Sequence, residues 1–270
     1  MAILSGCVQP SAQTPVISGD VSVPVTDANP QKTTSGMIEG SMYRLQVPFG
    51  ANSRDPAFWK PLDEDVVDAQ TSARLNINGL RLGRGRVSDW PQYLAVLEQE
   101  SAIKLFDGVF AAQSSVGDVP MDMTEEMPEE FLNIFDDHGL TMRSFDHCQN
   151  RFSCSFQWAP RKPGTIRLTV CPVVKVWQMR MDFSMSDRGD PTSYLHDENI
   201  YDLHLCADIA PGEFLVIGTS PATEDRNRVG SRFLTRDGPN QRYEEILIFV
   251  GNPMPLGHIK SHISAPTTKG

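Results

Sequence analysis

The sequence predicts an α+β fold that is mainly β, with a small N-terminal α/β module followed by a mostly antiparallel β domain. Three observations carry this expectation. The second half contains compact runs rich in apolar, β-branched and aromatic residues, at 165–183, 212–220 and 243–253, each bounded by turn residues. The last two are too short for a typical helix and read as buried strands. Helical spacing appears in few places, most clearly at 88–101, "SDWPQYLAVLEQES". The chain has 270 residues, 40% hydrophobic and 21% charged, which is enough to build one or two globular domains.

Each element can be justified in order along the chain. The opening "LSGC", Leu4 to Cys7, resembles the bacterial lipobox, in which a signal peptidase cuts before a cysteine that carries lipid. Residues 1–7 then form a truncated lipoprotein signal with Cys7 as the lipidation site. Only six residues precede Cys7, so this reading expects a start further upstream. Residues 8–40 are rich in Pro, Ser, Thr, Gln and Gly with no sustained period, the composition of a flexible tether.

The α/β module is expected over 41–107. Tyr43, Leu45 and Val47 alternate with Met42, Arg44 and Gln46 as in a half-buried strand. In "RLNINGLRLG", Asn78-Gly79 between Leu75, Ile77 and Leu80, Leu82 predicts a hairpin. Ser88 or Asp89 then caps a helix that has Pro91 in its first turn and Trp90, Tyr93, Leu94 and Leu97 on one face. The β domain is expected over 108–255, with a tail at 256–270. One helix is expected to interrupt it at 124–139, where Met127, Phe131, Ile134 and Phe135 share a face and Gly139 stops the helix. Further on, Ile166, Leu168 and Val170 alternate with Arg167 and Thr169, and Pro172 should mark a strand end or edge.

Charge and motifs narrow the function. With 24 basic and 34 acidic residues the net charge is -10, which argues against nucleic acid as a partner. No apolar stretch reaches the length of a spanning helix. There is no G-x-S-x-G, Walker, H-E-x-x-H or G-x-G-x-x-G motif, so no catalytic residues and no cofactor are assigned. His147, Cys148 and Cys154 match no zinc-finger spacing, and His258 with His262 lie in a Pro/Gly-rich tail. The acidic residues Asp118, Asp122, Glu125, Glu126, Glu129 and Glu130 read as a solvated helix start rather than a calcium loop, so no metal is assigned. Arg188-Gly189-Asp190 reads as a turn, and "LGRGR" as a hairpin exit. Once Cys7 is lipidated, Cys148, Cys154, Cys171 and Cys206 could form two disulfides in an oxidising periplasm.

The order of the β segments resembles the C-terminal region of bacterial secretins, the ring-forming outer-membrane gates. "LAVLEQESAIKLFDGVFAAQSSVGDVP" is similar to the family's helix, strand and VG..VP turn, and "PGTIRLTVCPVV" to the proline-ended strand before the inner-wall hairpin. Gly212, Val216, Ile217 and Gly218 match the glycine-led strand. Gly230, Phe233, Glu245, Leu247, Ile248, Phe249 and Pro253 match the closing block. One extra residue stands before Pro253, and the Pro-x-Leu-Gly element ahead of the phenylalanine is missing. The resemblance implies a homo-oligomeric subunit of a ring or pore-associated assembly; with LSGC, the tether and no catalytic motif beside it, a non-enzymatic, periplasm-facing lipoprotein of the outer membrane is expected. Its partners would be outer-membrane lipid and other envelope or secretion components. It also implies a hairpin that puts Arg232, Phe233, Arg236, Glu244 and Glu245 at the rim of a subunit contact. A monomeric periplasmic β-protein that binds or hydrolyses a small molecule is the alternative.

Overall fold

The structure, a computed structural model, describes residues 38–112, 118–160, 162–181, 191–251, 256 and 259–261. Cys7, the tether up to residue 37, the Arg188-Gly189-Asp190 turn, His258 and His262 lie outside these. The described residues belong to one compact unit, Met37–Gly270. Its elements are β1 (Ile38–Pro48), α1 (Pro56–Trp59), α2 (Ala69–Ile77), β2 (Leu80–Arg86), α3 (Trp90–Gln99) and β3 (Ile103–Ala112), then β4 (Asp118–Asp122), β5 (Met127–Asp136), β6 (Gly139–Trp158), β7 (Ile166–Met181), β8 (Pro191–Asn199) and β9 (Leu205–Ile209). The chain finishes with β10 (Glu213–Thr219), α4 (Val229–Leu234), β11 (Thr235–Asp237), β12 (Arg242–Val250) and β13 (Lys260–Ser261).

The fold is α+β and mostly antiparallel β, as the sequence predicts. One sheet runs β13-β3-β1-β12-β10-β2, with β11 also on β12; the other runs β4-β6-β7-β8, with β5 on β6 and β9 on β7. The first sheet is buried on both faces. Ile246, Ile248, Val250, Phe214 and Val216 pack beneath α1 and α3 with Phe58, Trp59, Trp90, Tyr93 and Leu97. Leu247, Phe249, Leu215 and Ile217 face the second sheet's Phe152, Phe156, Leu168 and Val170. The continuous apolar run of β12 is thus a central strand between two cores. The alternation expected in β1 and the Trp90, Tyr93, Leu97 face of α3 are both present, with Asp89 at the N-cap position.

Several expectations are corrected. Residues 41–107 do not form a module by themselves. β1 pairs with both β3 and β12, and β2 pairs with β10, so β1–β3 share one sheet with β10–β13, and the sheet of β4–β9 faces it. The first strand also begins at Ile38, inside the stretch assigned to the tether.

Asn78-Gly79 is not a hairpin turn. Asp68 caps α2 by accepting from the Thr71 N–H at 3.0 Å, and α2 ends on Asn78 and on Gly79 with φ +86°, a left-handed helix stop that suits glycine. The apparent Leu75, Ile77 alternation misleads because only Leu75 is buried.

The helix expected at 124–139 is strand β5. Glu130, Leu132 and Ile134 are its buried positions, a period of two, and Met127 to Asp136 pair along β6 from Cys148 to Gly139. Gly139, with φ +116°, serves the hairpin turn instead of a helix stop. "LGRGR" lies inside β2. Gly85 faces Phe214 across the ladder, and a Cβ there would stand 2.1 Å from the ring, so the glycine makes room for the aromatic side chain.

Pro172 is in the middle of β7, where the strand changes partner from β9, up to Val170, to β8, from Val173. Its missing N–H falls in that gap, while its carbonyl accepts from Ile200 N at 2.9 Å.

Candidate functional site

The five residues assigned to a subunit rim are drawn into the fold. Phe233, Glu244 and Glu245 are buried, and this corrects the expectation that they form a contact surface. Phe233 packs on Phe152, ring centroids 5.3 Å apart, where α4 meets β6. Glu244 Oε2 accepts from the backbone N–H groups of Asn52 and Ser53 at 2.9 and 3.0 Å, and the Asn52 carbonyl accepts from Trp59 Nε1 at 2.7 Å. The carboxylate therefore shapes the loop that delivers α1.

Glu245, on the opposite face of β12, takes a bidentate pair from Arg44 and lies 3.4 Å from Arg236 Nε. Both arginines also donate to the carbonyl of Met123, Arg44 Nη2 at 2.9 Å, so the cluster ties β1 and β12 to the connection between β4 and β5. Arg232 stands 3.0 Å from Glu130 on β5, whose other oxygen accepts from Asn150 Nδ2 at 2.6 Å. These ion pairs join the two sheets and α4 within one chain.

The electrostatics reflect burial. Burial lifts the Glu130 carboxyl above its ordinary value, against the pull of Arg232 and the bonds from Asn150 and Phe131. Burial lowers the Arg236 guanidinium, opposed by Glu245, with Arg44 adding like-charge repulsion. The network borders a cleft of about 180 Å³ at the junction of α4, β11 and the β4–β5 connection, lined by four arginines (226, 232, 236 and 242), with Glu130 and Asp237 as its carboxylates. The sequence predicts no such cleft and puts Glu130 at a solvated helix start, whereas the structure buries it on β5. The signal available in the sequence was the density of arginine between 226 and 242 in an acidic chain.

A second feature lies on the β5–β6 hairpin. Leu132 and Ile134 face the core, but Phe131, Met142 and Leu140 are 47, 77 and 52% exposed. Phe131 pairs with Ser144, Asn133 with Met142 and Phe135 with Leu140, so these apolar side chains lie along one outer face. Phe135, on the same face, is covered by the Arg228 guanidinium at 3.9 Å. The outer edge of β5 is capped from within: Asn78 bonds both the N–H and the C=O of Phe135, at 2.8 and 2.7 Å, and the Asn133 N–H donates to the Asn227 carbonyl at 2.8 Å.

Cys148, Cys154 and Cys171 are buried and Cys206 is exposed. Among the described residues, no group of three or more His, Cys, Asp or Glu side chains is placed to hold a metal. No described helix is long and apolar enough to cross a membrane, which leaves β-structure unaddressed. Comparison of the chain with protein-family models, curated proteins and solved structures finds no match in any of the three.

Proposed function

We propose that this chain is a structural, non-enzymatic subunit of the bacterial cell envelope, held at the periplasmic side of the outer membrane by lipid on Cys7, that associates with further copies of itself. The observation that carries this reading is that β5 is apolar on both faces and covered on one. β12 has the same character and is covered on both. An outer face of Phe131, Leu140 and Met142 left in water is a liability that association removes. The next copy offers a counterpart on the far side of the same sheet, where β8 ends the strand order and carries exposed Leu195. A contact from one side of a sheet to the other is head-to-tail and can close into a ring. Because the β5 edge is capped by Asn78, the contact uses the hairpin's face, whereas strand-edge pairing would need that cap removed. The secretin-like order of segments supports the same reading.

The test is the mass of the full chain in mild detergent. A discrete high-order oligomer is expected, and a 30.0 kDa monomer at all concentrations would contradict it. Metabolic labelling with a fatty acid tests the anchor separately, since label lost in Cys7→Ser is expected and no label on the wild type would remove it. The alternative, a monomeric small-molecule-binding β-protein, is favoured by the arginine-lined cleft alone.

A further inference from the structure

We propose that the cleft between α4, β11 and the β4–β5 connection binds a phosphate group, carried on a soluble monoester or on a lipid headgroup. The chain as a whole has ten more acidic than basic residues, 34 against 24, yet at this cleft four arginines meet two carboxylates. Its volume of about 180 Å³ is the space of roughly six waters at ~30 Å³ each, enough for one phosphate and the first atoms of its substituent.

The arginines divide the work. Arg236 spends its donors on the carbonyls of Met123, Arg232, Phe233 and Thr235, and its Nε faces Glu245, so it forms a fixed floor. Arg242 rests 4.5 Å from the Phe49 ring centroid and gives Nη2 to the hydroxyls of Ser231 and Thr235, at 2.5 and 2.7 Å. Those acceptors are neutral, and Asp237 Oδ1 is 4.0 Å from its Nε. Arg232 gives Nη2 to Asn227 Oδ1, and its Nε stands 3.0 Å from Glu130 in an ion pair that falls short of a hydrogen bond, so its Nη1 is the donor left for a ligand. Arg226 is largely exposed and reaches Asp237 only at 3.7 Å.

Positive charge is therefore in excess and partly desolvated. Burial pushes the Arg242 guanidinium below its ordinary value and Arg226 adds to this, with Asp237 and Glu244 pulling the other way and Arg232 a smaller repulsion. A tetrahedral oxyanion can accept from Arg226, Arg232 and Arg242 together, and guanidinium forks suit its oxygens. A carboxylate accepts in one plane only, so it suits donors arriving from several directions less well than a tetrahedral anion.

Isothermal titration calorimetry of the full chain with inorganic phosphate, at ionic strength held constant with sodium chloride, tests this. Arg226→Gln and Asp237→Asn both alter exposed side chains and leave the fold intact. Saturable one-to-one binding is expected, weakened about tenfold in Arg226→Gln and tightened several-fold in Asp237→Asn, which removes a competing carboxylate. Competition by glycerol 3-phosphate with vesicles inert assigns a soluble monoester. Competition by phosphatidylcholine vesicles containing phosphatidic acid assigns a headgroup. Absence of saturable heat, equal heat from chloride, or an affinity that ignores both substitutions would overturn the proposal.

Discussion

Arg44 closes on both oxygens of Glu245, at 2.7 and 3.0 Å, from the strand neighbouring the one that carries the carboxylate. With Arg236 on its other side, Glu245 is the anion of a three-residue cluster and is only 2% exposed. Removing it leaves two partly buried guanidiniums facing each other. Glu245→Ala is expected to cost about 3–5 kcal/mol, measured by urea unfolding. Glu224→Ala, whose pair with Arg54 is exposed on both sides, should cost ~0–1 kcal/mol by the same measurement. Equal effects would show that the Glu245 cluster is not the link between the sheets.

Glu130 gives a pH dependence of definite sign. Its pKa is raised above 4.5 by burial, so its stabilising contribution is complete below the unfolded value and is lost as pH climbs through the higher folded value. Asp63, Asp136 and Asp208 are lowered by hydrogen bonds and act in the opposite sense at more acidic pH; they cancel when a variant is compared with wild type. The Tm of Glu130→Gln minus that of wild type should therefore grow more positive between pH 4 and 7. A constant or falling difference would contradict the burial assigned to this carboxyl.

Tyr93 lies at the centre of the aromatic layer, its ring 5.4 Å from Phe214 and 5.6 Å from Phe58, and its hydroxyl is buried without a hydrogen-bond partner. Burial raises its pKa well above the ordinary phenol value. An unsatisfied buried hydroxyl costs about 1–3 kcal/mol, so Tyr93→Phe should leave stability unchanged or raise it. A marked drop in Tm would mean that the hydroxyl has an internal partner.

The thiols should separate by reactivity. Burial, followed by Glu130 and Asp146, pushes the Cys148 thiol up to about 12, while Cys206 is exposed on β9. Peptide mapping after iodoacetamide treatment of native protein at pH 8 should find Cys206 modified and Cys148 untouched. Rapid modification of Cys148 would place it outside the core.

What was legible in the sequence was the pattern that one covered face, or two, imposes on a strand. The alternation of β1, the doubly apolar run of β12 and the Trp90, Tyr93, Leu97 stripe of α3 each reflect burial that local sequence records. β5 misled because Met127, Phe131, Ile134 and Phe135 fit a helical stripe, and only pairing with β6 selects the Leu132, Ile134 period. Asn78-Gly79 misled because the same dipeptide suits a hairpin and a helix stop, and the capping bond from Asp68 decides between them. The charged residues 232–245 were recognisable as a cluster but not as an interior one. Their partners Arg44 and Glu130 lie more than a hundred residues away in the chain, and that distance closes only when the sheets pack.

The proposed self-association places another copy of the chain over the outer face of the β5–β6 hairpin. Native mass spectrometry of wild type beside Met142→Lys tests it most directly, because Met142 is 77% exposed and the substitution leaves the isolated fold intact. A discrete oligomer in the wild type that falls to monomer in Met142→Lys, with Tm at low protein concentration unchanged, is the predicted result. An identical oligomer in both proteins, or a monomer in both, would contradict it.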